Sequence, residues 1–257
     1  MTGTTLSPRL PLDLEYTIFL FAFQTDPREA RRLTLVAKRV FDWLIPHVFR
    51  VVKLSEVVSF PIDFNEAIYK KYGHHVRHLL LKSPRLREYL HLFPNVVNLA
   101  FWVPYDPIYL PCLLQLPLTR ISTTPSLDLF PIFAKLTHLD LWSVFDPRSR
   151  ETIRSLLCLP KLTHLCVIPS LTKDILELFL ERERSPELKV VVVWAYSEDL
   201  EPMHVLNDKP PVVDDNRVVM IKCHAGEDWE RGARGEFDMW KLAEQVLEAR
   251  KVPGGDN

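Results

Sequence analysis

One apolar pattern, i, i+3 and i+5, returns seven times along the chain and constrains its fold more than any other feature. It appears as VRHLLL from Val76, VVNLAF from Val96, LTRIST from Leu118, LTHLDL from Leu136, LTHLCV from Leu162, LKVVVV from Leu188 and VVMIKC from Val218. The spacings are 20, 22, 18, 26, 26 and 30 residues. Short runs that alternate in this way read as strands. KLTHLDL at Lys135 and KLTHLCV at Lys161 repeat Lys, Leu, Thr and His together, which chance periodicity would not produce. Helix signals stand between the strands: Ser83-Pro84 opens SPRLREYL, Asp146-Pro147 opens DPRSRETIRSLL and Thr172 opens TKDILELFLERE. Strand alternating with helix is also compatible with a doubly wound α/β sheet. Only seven glycines exist and none lies between Gly73 and Gly226, so that sheet would lack the glycine-rich phosphate cradle of a nucleotide-binding fold.

The strand repeats resemble degenerate leucine-rich repeats, although the asparagine that usually follows the last leucine is missing. The resemblance implies an α/β repeat, a short irregular leucine-rich-repeat-like solenoid over residues 55–225. Side chains on a strand alternate between its two faces. The leucines would then point inward and Asn98, Trp102, Arg120, His138, Asp140, Trp142, His164 and Trp194 outward. Trp102, Trp142 and Trp194 each fall three positions after the middle apolar residue of their segments (Leu99, Leu139, Val191). They read either as an aromatic anchor column for a protein partner or as residues packed under loops or the C-terminal segment. Trp102, Arg120, His138, Asp140, Trp142, His164 and Trp194 are the candidate substrate-binding residues. His138 and His164 occupy equivalent positions, and repeat inheritance accounts for both.

The N-terminal stretch is built differently. Leu14, Ile18 and Phe21 share one face of a helix entered through Pro11, and Tyr16, Phe19 and Phe23 widen its apolar surface. Asp26-Pro27-Arg28-Glu29 reads as a capping box opening a second helix with Leu33, Val36, Ala37 and Val40 as its buried stripe. A third helix carries Phe41, Trp43 and Leu44 and is expected to stop before Pro46. Leu10-Pro11-Leu12-Asp13-Leu14, Ile18 and Val36-Ala37-Lys38-Arg39 resemble an F-box, similar to those of the expanded fungal F-box families. The match departs from the family where leucines usually open the second helix and where Trp often follows Lys-Arg. The resemblance implies a three-helix module over residues 8–54 that binds a Skp-type adaptor, and through it a cullin, by Leu10, Pro11, Leu14, Ile18 and Val36. The other reading of the same residues is a helical cap on the first strand.

The formal net charge is -1, from 32 basic and 33 acidic residues, which points away from nucleic acid and anionic membrane and toward a protein partner. Cys112, Cys158, Cys166 and Cys223 have no paired spacing and read as reduced core residues. The apolar run from Tyr16 to Phe23 is too short to cross a bilayer, and a cytoplasmic or nuclear location is expected. Residues 226–257 read as a glycine-containing loop followed by a C-terminal capping helix from about Phe237 to Arg250. His74, His75 and His78 cluster without nearby Cys or paired carboxylates, so no metal site is expected. No nucleophile-elbow or zinc-protease signature occurs, and neither an enzyme activity nor a cofactor is expected. Taken with the F-box resemblance, the expected function is substrate recognition in an SCF-type cullin-RING ubiquitin ligase. A non-catalytic repeat scaffold is the alternative.

Overall fold

A computed structural model describes residues 10–26, 30–54, 66–102, 106–124, 129–142, 159–168, 173–181, 185–196, 202–206 and 213–251. Helices α1 (Leu12–Thr25), α2 (Ala30–Leu33) and α3 (Lys38–Val48) lead into β1 (Val51–Leu54). Helix α4 (Glu66–Tyr72) precedes β2 (His78–Leu81), and a 3-10 stretch, Pro84–Leu92, precedes β3 (Asn98–Phe101). Then come α5 (Leu110–Gln115), β4 (Arg120–Thr123), α6 (Phe130–Phe133), β5 (His138–Leu141), β6 (His164–Val167), α7 (Lys173–Leu180) and β7 (Val190–Tyr196). Strands β8 (His204–Val205) and β9 (Val218–Cys223) and helices α8 (Ala225–Arg234) and α9 (Met239–Lys251) complete the described chain.

All the described strands join one sheet in the order β1-β2-β3-β4-β5-β6-β7-β9-β8. Every neighbouring pair is parallel except β8 with β9. The register follows the repeated pattern residue for residue: Leu79, Leu99, Ile121, Leu139, Leu165 and Val191 are successive partners. None of these six is more than 3% exposed, and burying each side chain is worth about 1.5–3 kcal/mol. Helices α5, α6 and α7 cover this face, contributing Leu113, Ile132 and Phe179 to the same core.

This architecture overturns the expected three-helix module followed by a leucine-rich-repeat-like solenoid with a capping helix. It is an α/β fold on one nine-stranded, mostly parallel sheet. Strand β1 leaves α3 after two residues and pairs with β2, and the far edge ends in an antiparallel strand. The C-terminal helices lie across a sheet face: α9 contacts β7 and β9, and α8 reaches back to β1, where Lys53 pairs with Glu230. They cover a second apolar cluster that includes Val190, Val192, Val219, Ile221 and Ala243.

Local departures have local causes. The expected loop after Cys223 is helix α8, with the His224 ring accepting from Glu227 N at its start, acids in the first turn and arginines in the last. Its glycines serve contact and termination. A Cβ on Gly232 would lie 2.4 Å from Asp238 Oδ2, and Gly235 ends the helix at φ 81°. Helix α3 runs through Pro46 to Val48, because Phe49 N bonds to Ile45 O and Arg50 N to His47 O beyond the proline. The expected second-helix stripe is divided. Helix α2 ends at Leu33, Val36 stands exposed in the turn, and Val40 is buried from α3. Asp26 is the C-cap of α1, and the rest of the expected capping box lies outside the described residues. So do Cys158 and the segment opened by Asp146-Pro147. Cys166 and Cys223 are buried, whereas Cys112 is exposed on α5, where its helix turns outward.

Candidate functional site

Two surfaces gather the residues singled out by the sequence. The first is the outer face of the N-terminal helices. Helix α1 follows Pro11, whose extended backbone (φ -53°, ψ 142°) enters the helix, and Asp13 and Glu15 in the first turn complement its dipole. It rests on α3 through Tyr16, whose ring meets Trp43 edge-on at 5.7 Å, and Phe23, 6.0 Å from His47. Glu15 and Arg39 pair at 2.6 Å between the helices. No residue of α1 is fully buried. The stripe Leu14, Ile18 and Phe21 faces away from α3, so the residues that hold the helix down are the flanking Tyr16 and Phe23. All five residues implied as adaptor contacts are exposed: Leu10 46%, Leu14 50%, Ile18 55%, Val36 61%, and Pro11 likewise. Leu12, Phe21 and Leu35 extend the apolar surface.

The second surface is the sheet face beneath α8 and α9. The register brings Asn98, Arg120, His138 and His164 into one row, and Ser122, Asp140 and Cys166 into the next. Trp102, Trp142 and Trp194 form a continuous aromatic column, with ring centroids 4.5 Å apart for the first pair and 6.4 Å for the second, each edge-on. None of the seven candidate substrate residues is exposed, and His164 and Trp194 are buried. The column therefore lies largely beneath the C-terminal segment.

Its polar atoms are matched closely. The indole N–H groups of Trp102 and Trp142 both donate to Ser122 Oγ, at 3.2 and 3.1 Å. Ser122 Oγ donates to Asp140 Oδ2 at 2.6 Å. Two lone pairs and one proton are thereby all engaged, which leaves the hydroxyl no capacity to act as a nucleophile. Asp140 Oδ1 is buried without a partner among the described residues. Burial pushes the Asp140 carboxyl up to about 6, against the Ser122 and Cys166 hydrogen bonds. Asp228, on α8, is raised to about 7, first by burial and then by the charge of Asp238. Asp228 Oδ1 accepts from Met239 N at 2.9 Å and so ties α8 to the start of α9. Arg120, Ser122, His138, Asp140 and Asp228 line a cavity of about 50 Å³, room for a few waters and too small for a drug-sized ligand.

The recurring Thr-His of the repeats also has a structural role. Thr137 Oγ1 and Thr163 Oγ1 donate to the carbonyls of Thr119 and Thr137, which lie just before the preceding strands, at 3.1 and 3.0 Å. Each hydroxyl then accepts from the Nδ1–H of the next residue, His138 at 2.9 Å and His164 at 2.8 Å. The two rings stack at 4.1 Å, 2° from parallel, and Trp240 of α9 sits edge-on to both. Burial holds both imidazoles below their ordinary pKa. His164 Nε2 lies 3.1 Å from Glu244 Oε1, a contact that needs a second proton on the pair. Sequence reasoning placed the histidines together but missed their partners Trp240 and Glu244. The one available signal was the helical spacing of Trp240, Ala243, Val246 and Leu247.

Among the described residues no group of three His, Cys, Asp or Glu side chains could hold a metal ion, and no helix is long and apolar enough to cross a membrane. No family model, curated protein or solved structure matches the chain.

Proposed function

We propose that this chain is a substrate receptor of an SCF-type cullin-RING ubiquitin ligase, working in the cytosol or nucleus. The outer face of α1 and the turn before α3 dock a Skp-type adaptor, and the remainder of the chain holds the protein to be modified. The observation that carries the reading is the joint exposure of Leu10, Pro11, Leu14, Ile18 and Val36. Apolar side chains so grouped on one face mark an interaction site. They are the residues that the F-box resemblance assigns to the adaptor. Catalysis would belong to the ligase partners, and the receptor would contribute proximity.

The test is co-purification of the chain with a Skp-type adaptor, beside a variant carrying Leu14→Asp and Ile18→Asp. Both side chains point outward, so the variant should stay folded and lose the adaptor. A folded native chain that recovers no adaptor would leave the second reading, a non-catalytic binding module whose N-terminal helices only cap the sheet. The direct continuation of α3 into β1 favours that second reading.

A further inference from the structure

We infer that the N-terminal rim of the sheet, where the chain enters strands β1 to β7, binds an extended acidic segment of a partner protein. Five basic residues stand along this rim: Arg50, Arg77, Lys135, Lys161 and Lys189. Arg50 and Arg77 immediately precede β1 and β2, Lys135 and Lys161 lie three residues before β5 and β6, and Lys189 precedes β7. All five are exposed.

They share with Lys38 of α3 the lack of a described carboxylate partner, and Lys241 and Arg250 bond carbonyls only. Elsewhere Arg39, Lys53, Lys70, Lys173, Arg217 and Arg234 are each ion-paired. Among the described residues none of the five rim cations has a carboxylate partner, and Arg77 alone makes a side-chain hydrogen bond, to the Asn95 carbonyl at 3.3 Å. Described acids are scarce in the turns that enter these strands, Glu187 before β7 being the one present. At that end Glu248 is paired with Lys251, and Glu244, beside His164, is the one further described carboxylate near Lys189. Like charges aligned without counterions repel, and an anionic partner relieves that repulsion along the whole row.

The geometry selects an extended partner. Six inter-strand steps of about 4.8 Å span about 29 Å, which an extended peptide of about nine residues covers. Alternating acidic side chains would face the rim about 6.7 Å apart, so that four or five of them meet its length of about 29 Å. An acidic segment would define the substrate class of the proposed receptor and in that respect rests on that reading. The rim is nevertheless tested without the adaptor, so the two can fail separately.

The experiment uses the full chain and a fluorescent peptide of about a dozen residues, enough to span the rim, rich in Glu. A control peptide has every Glu replaced by Gln. Expected are binding of the Glu peptide only, roughly tenfold weakening as salt rises through the range where exposed charges are screened, and at least tenfold loss in a Lys135→Glu, Lys161→Glu, Lys189→Glu variant. A Lys→Gln triple variant should fall between. These lysines are exposed and unpaired, and an unchanged near-ultraviolet circular dichroism spectrum checks the fold. Equal binding of both peptides, binding unaltered in the triple variant, or no binding by a folded chain would each overturn the inference. So would a single-stranded oligonucleotide of equal charge that binds more tightly than the peptide.

Discussion

The first and last helices of this chain are both rich in apolar residues, yet they treat them in opposite ways. Helix α1 buries none of its side chains completely and turns Leu14, Ile18 and Phe21 to solvent. Helix α9 sets Met239 and Ala243 against β7 and β9, and turns Lys241, Glu244, Glu248 and Arg250 outward. The difference teaches that apolar spacing marks a face, whereas the neighbouring surface decides whether that face is core or docking surface. Helix α9 has a sheet beneath it, while α1 has only the short helices α2 and α3.

Mutations should separate the two ends. Trp240→Ala removes the ring that meets both stacked histidines and should cost about 2–4 kcal/mol, read by urea denaturation, with adaptor recovery unchanged while the variant is folded. Above the ordinary histidine range the pH response should be next in size and centred on the C-terminal end. Asp228 and Asp140 are raised to about 7 and about 6 in the folded chain, so between about pH 4 and pH 7 the folded state holds protons that the unfolded state releases. The contribution of these two carboxyls is therefore greatest toward the acid side of that window and falls as pH rises through it, whereas His78, His138 and His164, whose imidazoles burial holds low, contribute in the opposite sense and cost stability as pH falls below the ordinary histidine range. Hydrogen exchange at about pH 6.5 and pH 8, above the ordinary histidine range and corrected for its intrinsic rate, should show α8 loosening at the higher pH as Asp228 ionises, while α1 does not respond. Asp228→Asn should flatten most of that change, and an unaltered slope would place the titration elsewhere.

Ser122→Ala strands two indole N–H groups and a carboxylate oxygen, for a loss of about 1–3 kcal/mol. Near-ultraviolet circular dichroism of the tryptophan column should report it. The smallest stability effect belongs to Leu14→Asp with Ile18→Asp, below about 0.5 kcal/mol, accompanied by the largest loss of adaptor. A large destabilisation there would mean that α1 is a structural cap and would end the contrast between the helices.

Much of the sheet was legible in advance because its signal is local. The i, i+3, i+5 pattern located β2, β3, β4, β5, β6, β7 and β9, and the equivalence of His138 with His164 is their observed register. The layer beneath α8 and α9 was legible in part: the tryptophans could be read as packed under the C-terminal segment and α9 as a capping helix, but α8 was read as a loop. Gly226, Gly232 and Gly235 suggested a loop, although Gly232 is small because Asp238 approaches it and Gly235 ends the helix. Equally hidden was the basic rim. A net charge of -1 is a sum over the chain, and summation erases the separation of unpaired lysines on one edge from carboxylates paired elsewhere. On α1 the spacing identified the stripe Leu14, Ile18 and Phe21 but carried no information about which side α3 would take.

The Lys53–Glu230 pair joins residues 177 positions apart, whereas nearly every strand pairs with the next one in the chain. Short-range pairing of that kind lets a sheet zip progressively, at little loop-closure cost per step. Bringing α8 back to β1 instead requires the whole length to be in place. Refolding should then show early strand formation and a later phase in which the two ends of the molecule come together, and Lys53→Ala should alter that last phase alone.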